Sequence, residues 1–530
     1  MKAKHDLEVP SNPQARHSER SEESLYLACR MHGNAEILRS AQNDRHLARG
    51  RIREAPGSHV RGTFVVLAML MITLGALAQD KLPPLPKELP PYGPLVPFHA
   101  PEVDVEKLPN GLTVWLVPRP GFPKIALVVA VRGGRAADPK DRPGLSDVLL
   151  AALDQGTKTR SAKQIAEALQ GAGGDLSGNP LPDALVLSTE VLASKTEVGI
   201  EVLADVIQNA TFPDDEVALA KRNAIDNLQA QEAEPSFLAQ RAMAKALFGD
   251  QPYATVSPTE EGIKGTSAAE LRAAYHQRFR PDQALLVAVG DFSNGTFESA
   301  IQKNFGSWAA PGEPPLASVP VPSENNPHAV FLVARPGSVQ TTLSLAAFGP
   351  TRRDPDYAAT QVANAIYGGM FGSRLIRNIR EDKGYTYSPR ASIQMRAEAG
   401  VVATRADVRN AVTGPSLNEI DYELNRMATT NPTDDEVAHA KRYLIGINAI
   451  FLQLQAAVAG QLGLLWVYGM PPEALGQDSA DIQKVTAQEV ATAARKYFPA
   501  ARQTIVAVGE EKVVRDQLAP FGLAIQSGPQ

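Results

Sequence analysis

Apolar positions along the chain fall into two kinds of pattern, and the two kinds alternate in the same order twice. Short runs such as "GLTVWLVP" from Gly111 and "IALVVAVRGG" from Ile125 predict strands. "HAVFLVARPG" from His328 and "TTLSLAAFGP" from Thr341 predict a second pair. After each pair come long Ala- and Leu-rich segments with helical periodicity, and each half closes on an apolar strand ending Val-Ala-Val-Gly, at 287–290 and 506–509.

The halves also share sequence. "DDEVALAKR" from Asp214 and "DDEVAHAKR" from Asp434 differ at one position, His439. "ELRAAYHQRFRPDQALLVAVGD" from Glu270 is matched by "EVATAARKYFPAARQTIVAVGE" from Glu489, so the register holds across the half-chain. A period this long indicates two homologous domains rather than a solenoid of units of about 20–50 residues. The boundary is the proline-rich stretch "APGEPPLASVPVPSENNPH", 310–328, where all periodicity stops. The predicted fold class is α+β, with an N-terminal half over 102–309 and a C-terminal half over 329–524, each a mostly antiparallel sheet with helices packed on it. Residues 525–530 read as a tail.

Upstream, residues 1–60 are polar and aperiodic and read as disordered or as the product of a misplaced start. Residues 61–78, Arg61 followed by an apolar run and Ala76-Leu77-Ala78, have the order of a secretory signal; left uncleaved, the same run would be a membrane anchor. Its distance from Met1 favours the misplaced start. Residues 79–101, "KLPPLPKELPPYGPLVPFHAP" with its flank, form a stiff extended spacer. The expected location is secreted, periplasmic or extracellular, and membrane-tethered if the signal is retained.

Composition narrows the function. A net charge of -5 and a pI near 6.1 give no basic surface for nucleic acid. The single cysteine, Cys29, precedes the signal, so the mature chain has neither a disulfide nor a thiol nucleophile. Its histidines are His99, His276, His328 and His439, no two of them close in sequence. No Gly-x-Ser-x-Gly elbow is present, and "RGGR" at 132–135 lacks the context of a phosphate loop.

The order of "LPNGLTVWLVP", "RGGRAADPKDRPGLSDVL", "ALFGDQPYA" and "YGGMFGSRLIRNIREDKGYTYS" across two tandem halves resembles the insulinase/pitrilysin-like metallopeptidases, inverted zincins that include the mitochondrial processing peptidases. The resemblance covers about Val103 to Leu523. It implies a zinc helix H-x-x-E-H at "GLSDVLLAALDQGT", where Gly144, Leu145, Gly156 and Thr157 keep the frame. Asp147 then stands for the first histidine, Leu150 for the glutamate base, Ala151 for the second histidine, and Asn227 for the downstream zinc glutamate. Catalytic zinc needs about three protein ligands and an open position, so no metal is expected in this chain. Pro180 and Pro182 also fall where the family's substrate edge would have to donate hydrogen bonds.

The second half keeps more. Arg380 and Tyr387, seven apart, match the family's Arg and Tyr that reach an active site from the opposite half or partner subunit and hold the substrate backbone and the oxyanion. Tyr385, two residues earlier, could substitute. Gly368, Gly369 and Gly372 would form either a substrate-contacting loop or a turn into a helix capped by Ser373. An ordinary reading stands beside this: Arg380 near a helix C-terminus with Gly384 at the cap, and tyrosines in the following strand.

The implied function is a zinc-less subunit of a secreted heterodimeric zinc metallopeptidase, inactive alone, with zinc and base on a homologous partner and peptide as substrate. The alternative is a non-enzymatic peptide-binding or assembly protein on the same scaffold. An independent peptidase with relocated ligands conflicts with the scarcity of histidine.

Overall fold

Twelve strands build two six-stranded sheets in the computed structural model, which describes residues 93, 99–310, 312–314, 319–323 and 327–528. The leader, the signal segment and nearly all of the proline-rich spacer lie outside the described residues. In chain order the strands are β1 (Asp104–Lys107), β2 (Thr113–Pro118), β3 (Lys124–Arg132), β4 (Leu176–Pro180), β5 (Ala184–Leu192) and β6 (Ala284–Gly290). The second half supplies β7 (Val330–Ala334), β8 (Gln340–Gly349), β9 (Arg390–Met395), β10 (Gly400–Arg409), β11 (Thr504–Gly509) and β12 (Ile525–Ser527).

The sheets run β1-β2-β6-β3-β5-β4 and β12-β7-β11-β8-β10-β9. Pairing is antiparallel except for β2 with β6, β7 with β11 and β12 with β7. Five strands of each sheet, β2-β6-β3-β5-β4 and β7-β11-β8-β10-β9, correspond one to one, as the repeat requires. The outermost strand does not: β1 opens the first half, whereas β12 closes the chain. Ile525–Ser527, expected as tail, is therefore an edge strand paired with Val330–Leu332.

Seven of the helices frame the sites and the seam between the halves: α1 (Leu145–Leu153), α2 (Asp214–Glu232), α3 (Pro235–Phe248), α4 (Tyr357–Asn364), α5 (Thr413–Thr429), α6 (Asp434–Phe451) and α7 (Gln455–Val467). The repeated acidic first turns open α2 and α6, where Asp and Glu complement the helix dipole. Thr433 caps α6 in a capping box with Glu436.

The packing departs from a simple reading of two self-contained halves, because each sheet is covered on one face by a helix of the other half. Met243, Leu247 and Phe248 of α3 pack with Val333, Phe348, Val506 and Val508 of the second sheet. Reciprocally, Val458, Leu462 and Leu465 of α7 pack with Trp115, Val128, Val287 and Val289 of the first. This explains why β6 and β11 are buried at every position and, Thr504 apart, apolar throughout: both faces of each are covered, and no alternation survives. Strand β5 retains its alternation of buried and half-buried positions.

An arginine-aromatic stack accompanies each exchanged helix. The Arg132 guanidinium, at the end of β3, lies 4.4 Å from the Trp466 ring centroid and donates to the Trp466 carbonyl. The Arg396 guanidinium, just after β9, lies 4.7 Å from the Phe248 ring. Among the described residues neither arginine has a carboxylate hydrogen-bonded to it, and burial lowers the pKa of both. Asp183, at the tip of the β4–β5 hairpin, ties the seam further by accepting hydrogen bonds from the Tyr253 hydroxyl (2.6 Å) and the Ala397 amide (2.8 Å). Among the described residues no single helix is long and apolar enough to cross a membrane.

Candidate functional site

Two regions hold the candidate site residues named from the sequence, and they have opposite characters. The first is α1, whose start is fixed by Gly144 in the left-handed region (φ 93°); a side chain there would collide with Pro258. Asp138 accepts from the Ser146 amide and hydroxyl, and Arg278 donates both to Asp138 (2.9 Å) and to the Ser146 hydroxyl (2.7 Å). Burial raises the Asp138 pKa despite the Arg278 charge beside it. This buried network holds the helix rigidly in place.

None of the four positions derived from the zinc motif forms a ligand set. Asp147 is bound bidentately by Arg135, at 2.9 Å from Nε and 2.6 Å from Nη2. Burial works to lower the Arg135 pKa, but the Asp147 carboxylate outweighs it and holds the guanidinium above its usual value. Leu150 is buried and faces Gly178 of the edge strand β4, closely enough that a Cβ on Gly178 would lie 3.4 Å from its own. Ala151 is exposed, and Asn227 is exposed on α2. Among the described residues no group of three or more His, Cys, Asp or Glu side chains could hold a metal ion. One carboxylate committed to a guanidinium, an apolar plug, a methyl group and an amide do not fit zinc. Pro180 ends β4, opposite Leu185, at the edge of the first sheet.

The second region is the connection from α4 to β9. Helix α4 runs into a π-helical turn at Ala365–Gly369, the chain turns through Met370, Phe371 and Gly372, and Ser373 caps the next short helix by accepting from the Ile376 amide. Arg374 is buried and forms a bidentate pair with Glu436 at the start of α6 (2.7 and 2.8 Å). That pair holds the Glu436 carboxyl well down, at about 2. A second π-helical turn, Arg377–Asp382, carries Arg380. Such turns add a residue to the helical ring and recur at functional sites. Here the inward residues are fixed: Asn378 donates to Glu419 and Glu423 of α5, and Ile379 is fully buried.

Arg380 is half-buried between exposed aromatic residues. Its guanidinium carbon is 4.7 Å from the Phe371 ring centroid and 4.5 Å from that of Tyr387, so an aromatic ring from either side of the helix meets the cation. Nε contacts Glu381 at 3.1 Å. Both rings are about two-thirds exposed, at 64% for Phe371 and 65% for Tyr387. Gly384 ends the turn with φ 63°, as the C-cap reading predicts. Residues 384–389 form a loop and not the strand expected for the tyrosines; β9 starts only at Arg390. The Thr386 hydroxyl anchors that loop on the Asp407 carbonyl at 2.7 Å. Tyr385 is half-buried and its amide donates to Ile379, so Tyr387 is the tyrosine whose ring reaches Arg380.

The three glycines separate. Side chains at Gly368 and Gly369 would collide with Ala391 and Asn364, so these two serve close packing inside the helix end. Gly372 alone of the three borders open space in the turn. Motif spacing does not mark Phe371, between Gly369 and Ser373; its signal is a large apolar residue in a glycine-rich turn.

Comparison with known proteins agrees with this architecture. Residues 114–257 match the model for insulinase (peptidase family M16), and residues 266–444 match the peptidase M16 inactive domain. An uncharacterized zinc protease of Mycobacterium bovis is 24% identical over 389 residues, 73% of this chain and 89% of the relative. One from Bacillus subtilis is 26% identical over 280 residues, 53% of this chain and 67% of the relative. The crystal structure of a peptidase M16 inactive domain from Pseudomonas fluorescens superposes with a TM-score of 0.72 at 26% identity, covering 81% of this chain and all of that one. A Helicobacter pylori protease shares the fold at a TM-score of 0.70 and 16% identity, over 78% of this chain. With both halves matched in order, the chain belongs to the insulinase/pitrilysin-like (M16) peptidase family.

Proposed function

We propose that this chain is the complementing, zinc-less subunit of a heterodimeric M16 peptidase, secreted through the segment at 61–78, and that it presents Arg380 and Tyr387 to peptide bound at a homologous subunit's zinc site. The carrying observation is the contrast between the two regions. The α1 position is closed by an ion pair and a leucine, while Arg380 stands half-buried on a fixed turn with aromatic rings against it.

The division of labour follows from the donors. The guanidinium supplies a rigid cationic fork for a peptide carbonyl or the oxyanion that develops from it, and the Tyr387 hydroxyl supplies a neutral donor. Donors fixed beforehand act most strongly where charge develops in the transition state. Metal and general base belong to the partner, and no proton transfer is assigned to this chain.

The test is peptide hydrolysis with zinc quantified, for the mature chain alone and mixed with a co-encoded homologue carrying H-x-x-E-H. Activity confined to the mixture, with zinc in the homologue, is the expected result. Stoichiometric zinc and turnover in this chain alone would overturn the assignment, and a stable complex that never cleaves peptide would make it a binding or assembly protein.

A further inference from the structure

Phe371 lies against the Arg380 guanidinium and is 64% exposed. It lies in a turn anchored on both sides, by buried Met370 and by Ser373 with the Arg374–Glu436 pair beyond it, so the backbone that carries the ring is fixed while most of the residue faces solvent. Single exposed apolar residues are ordinary. This one shares a guanidinium with a second exposed ring, and open space adjoins it at Gly372.

We propose that Phe371 is a specificity-determining residue of the Arg380 site, selecting peptides with a large apolar side chain beside the carbonyl that Arg380 holds. The inference rests on the complementing-subunit reading for its catalytic consequence, and on geometry for the binding itself. A carbonyl accepting from the guanidinium lies about 3 Å from its nitrogens. Successive residues of an extended peptide advance about 3.3–3.6 Å, and the Phe371 centroid is 4.7 Å from the guanidinium carbon. A side chain within one residue of the held carbonyl therefore reaches the ring. There an aliphatic or aromatic group loses water from both surfaces, whereas a hydroxyl gains no partner from a phenyl face.

Two measurements separate this inference from the reading it builds on. The first is binding of fluorescein-labelled Ala-Ala-Leu-Ala-Ala and Ala-Ala-Ser-Ala-Ala to the mature chain alone, by anisotropy, for wild type, Phe371→Ala and Phe371→Trp. The second is hydrolysis of the same pair by the mixture with the H-x-x-E-H homologue. An enclosed apolar pocket discriminates by about 10–200-fold; one partly exposed ring shields less, so wild type should favour the Leu peptide by about threefold or more. Phe371→Ala should bring the Leu peptide down to the level of the Ser peptide, and Phe371→Trp should keep the preference. Equal binding of the two peptides by wild type overturns the inference, as does an equal fall for both in Phe371→Ala, which would mean that the ring only steadies Arg380. A Phe371-dependent preference in binding, with no cleavage by the mixture, supports the selector and removes the complementing-subunit reading.

Discussion

Replacing Arg380 by alanine should separate catalysis from stability, because the two costs have different sources. The side chain is 25% exposed, and its contacts are Glu381 and the faces of Phe371 and Tyr387. An exposed cation-π contact contributes about 0.5–1 kcal/mol, and an exposed ion pair about 0–1 kcal/mol. Removing all three should lower folding stability by no more than about 2–3 kcal/mol, and by less if the two rings close on each other. A donor aimed at a developing oxyanion is worth about 2.7–4 kcal/mol in the transition state, or about 100- to 1000-fold in rate. Arg380→Ala in the mixture should therefore lose two to three orders of magnitude in kcat/KM, while the complex elutes unchanged and a urea titration of the chain shifts only slightly. Arg380→Lys should recover little, since an ammonium lacks the planar fork. Turnover by Arg380→Ala within about threefold of wild type would refute the reasoning. Loss of activity that follows loss of complex would do so as well, because Arg380 would then be an assembly residue.

Two further predictions concern the frame that holds this site. Burial pushes the Asp421 carboxyl of α5 up to about 6, opposed by His328, and its Oδ1 is buried without a hydrogen-bond partner. A carboxyl raised from 3.8 contributes stability that is full below the unfolded value and is lost as pH rises to about 6, by up to about 3 kcal/mol at about 1.4 kcal/mol per unit. Asp421→Asn should therefore leave the urea midpoint at pH 3.5 nearly unchanged and raise it at pH 8; an equal effect at both values would rule out titration as the cause. Phe248→Ala removes a buried ring that meets Phe348 edge-on at 5.3 Å and supports Arg396, and should cost about 3–5 kcal/mol by chemical denaturation. A cost below about 1.5 kcal/mol would mean that the exchanged helix does little to join the halves.

Much of the architecture was legible because the sequence repeats it. Strands β2, β3, β6, β7, β8 and β11 occupy the apolar runs read as strands, and α2 and α6 start at the two acidic signatures. What stayed hidden depends on partners distant in sequence. The near-continuous apolar runs of β6 and β11 signal burial on both faces, but nothing local says that the second cover is a helix of the other half. Arg132 reads locally as a turn residue and Arg396 carries no local signal, because their aromatic partners, Trp466 and Phe248, lie in the opposite halves of the chain. The π-helical turns are invisible to a 3.6-residue period, and they set where Arg380 points. Ile525–Ser527 is too short for periodicity to mark, and becomes a strand because β7 offers it an edge.

The exchanged helices also bear on how α1 keeps its place without a metal ligand set among the described residues. Were α1 held mainly by zinc, losing the ligands would loosen it, since metal binding often supplies folding energy. Here Asp138, Ser146 and Arg278 pin its first turn, Arg135 engages Asp147, and Leu150 closes against β4. The second sheet receives α3 from the same half that contains α1, so disorder in the first half would expose the apolar face that Val506 and Val508 bury under α3. The turn bearing Arg380 leans on α5 and α6 of the second half, and a well-packed first half is thus a condition for a fixed Arg380. Packing at α1 is needed under that demand whether or not a metal binds there.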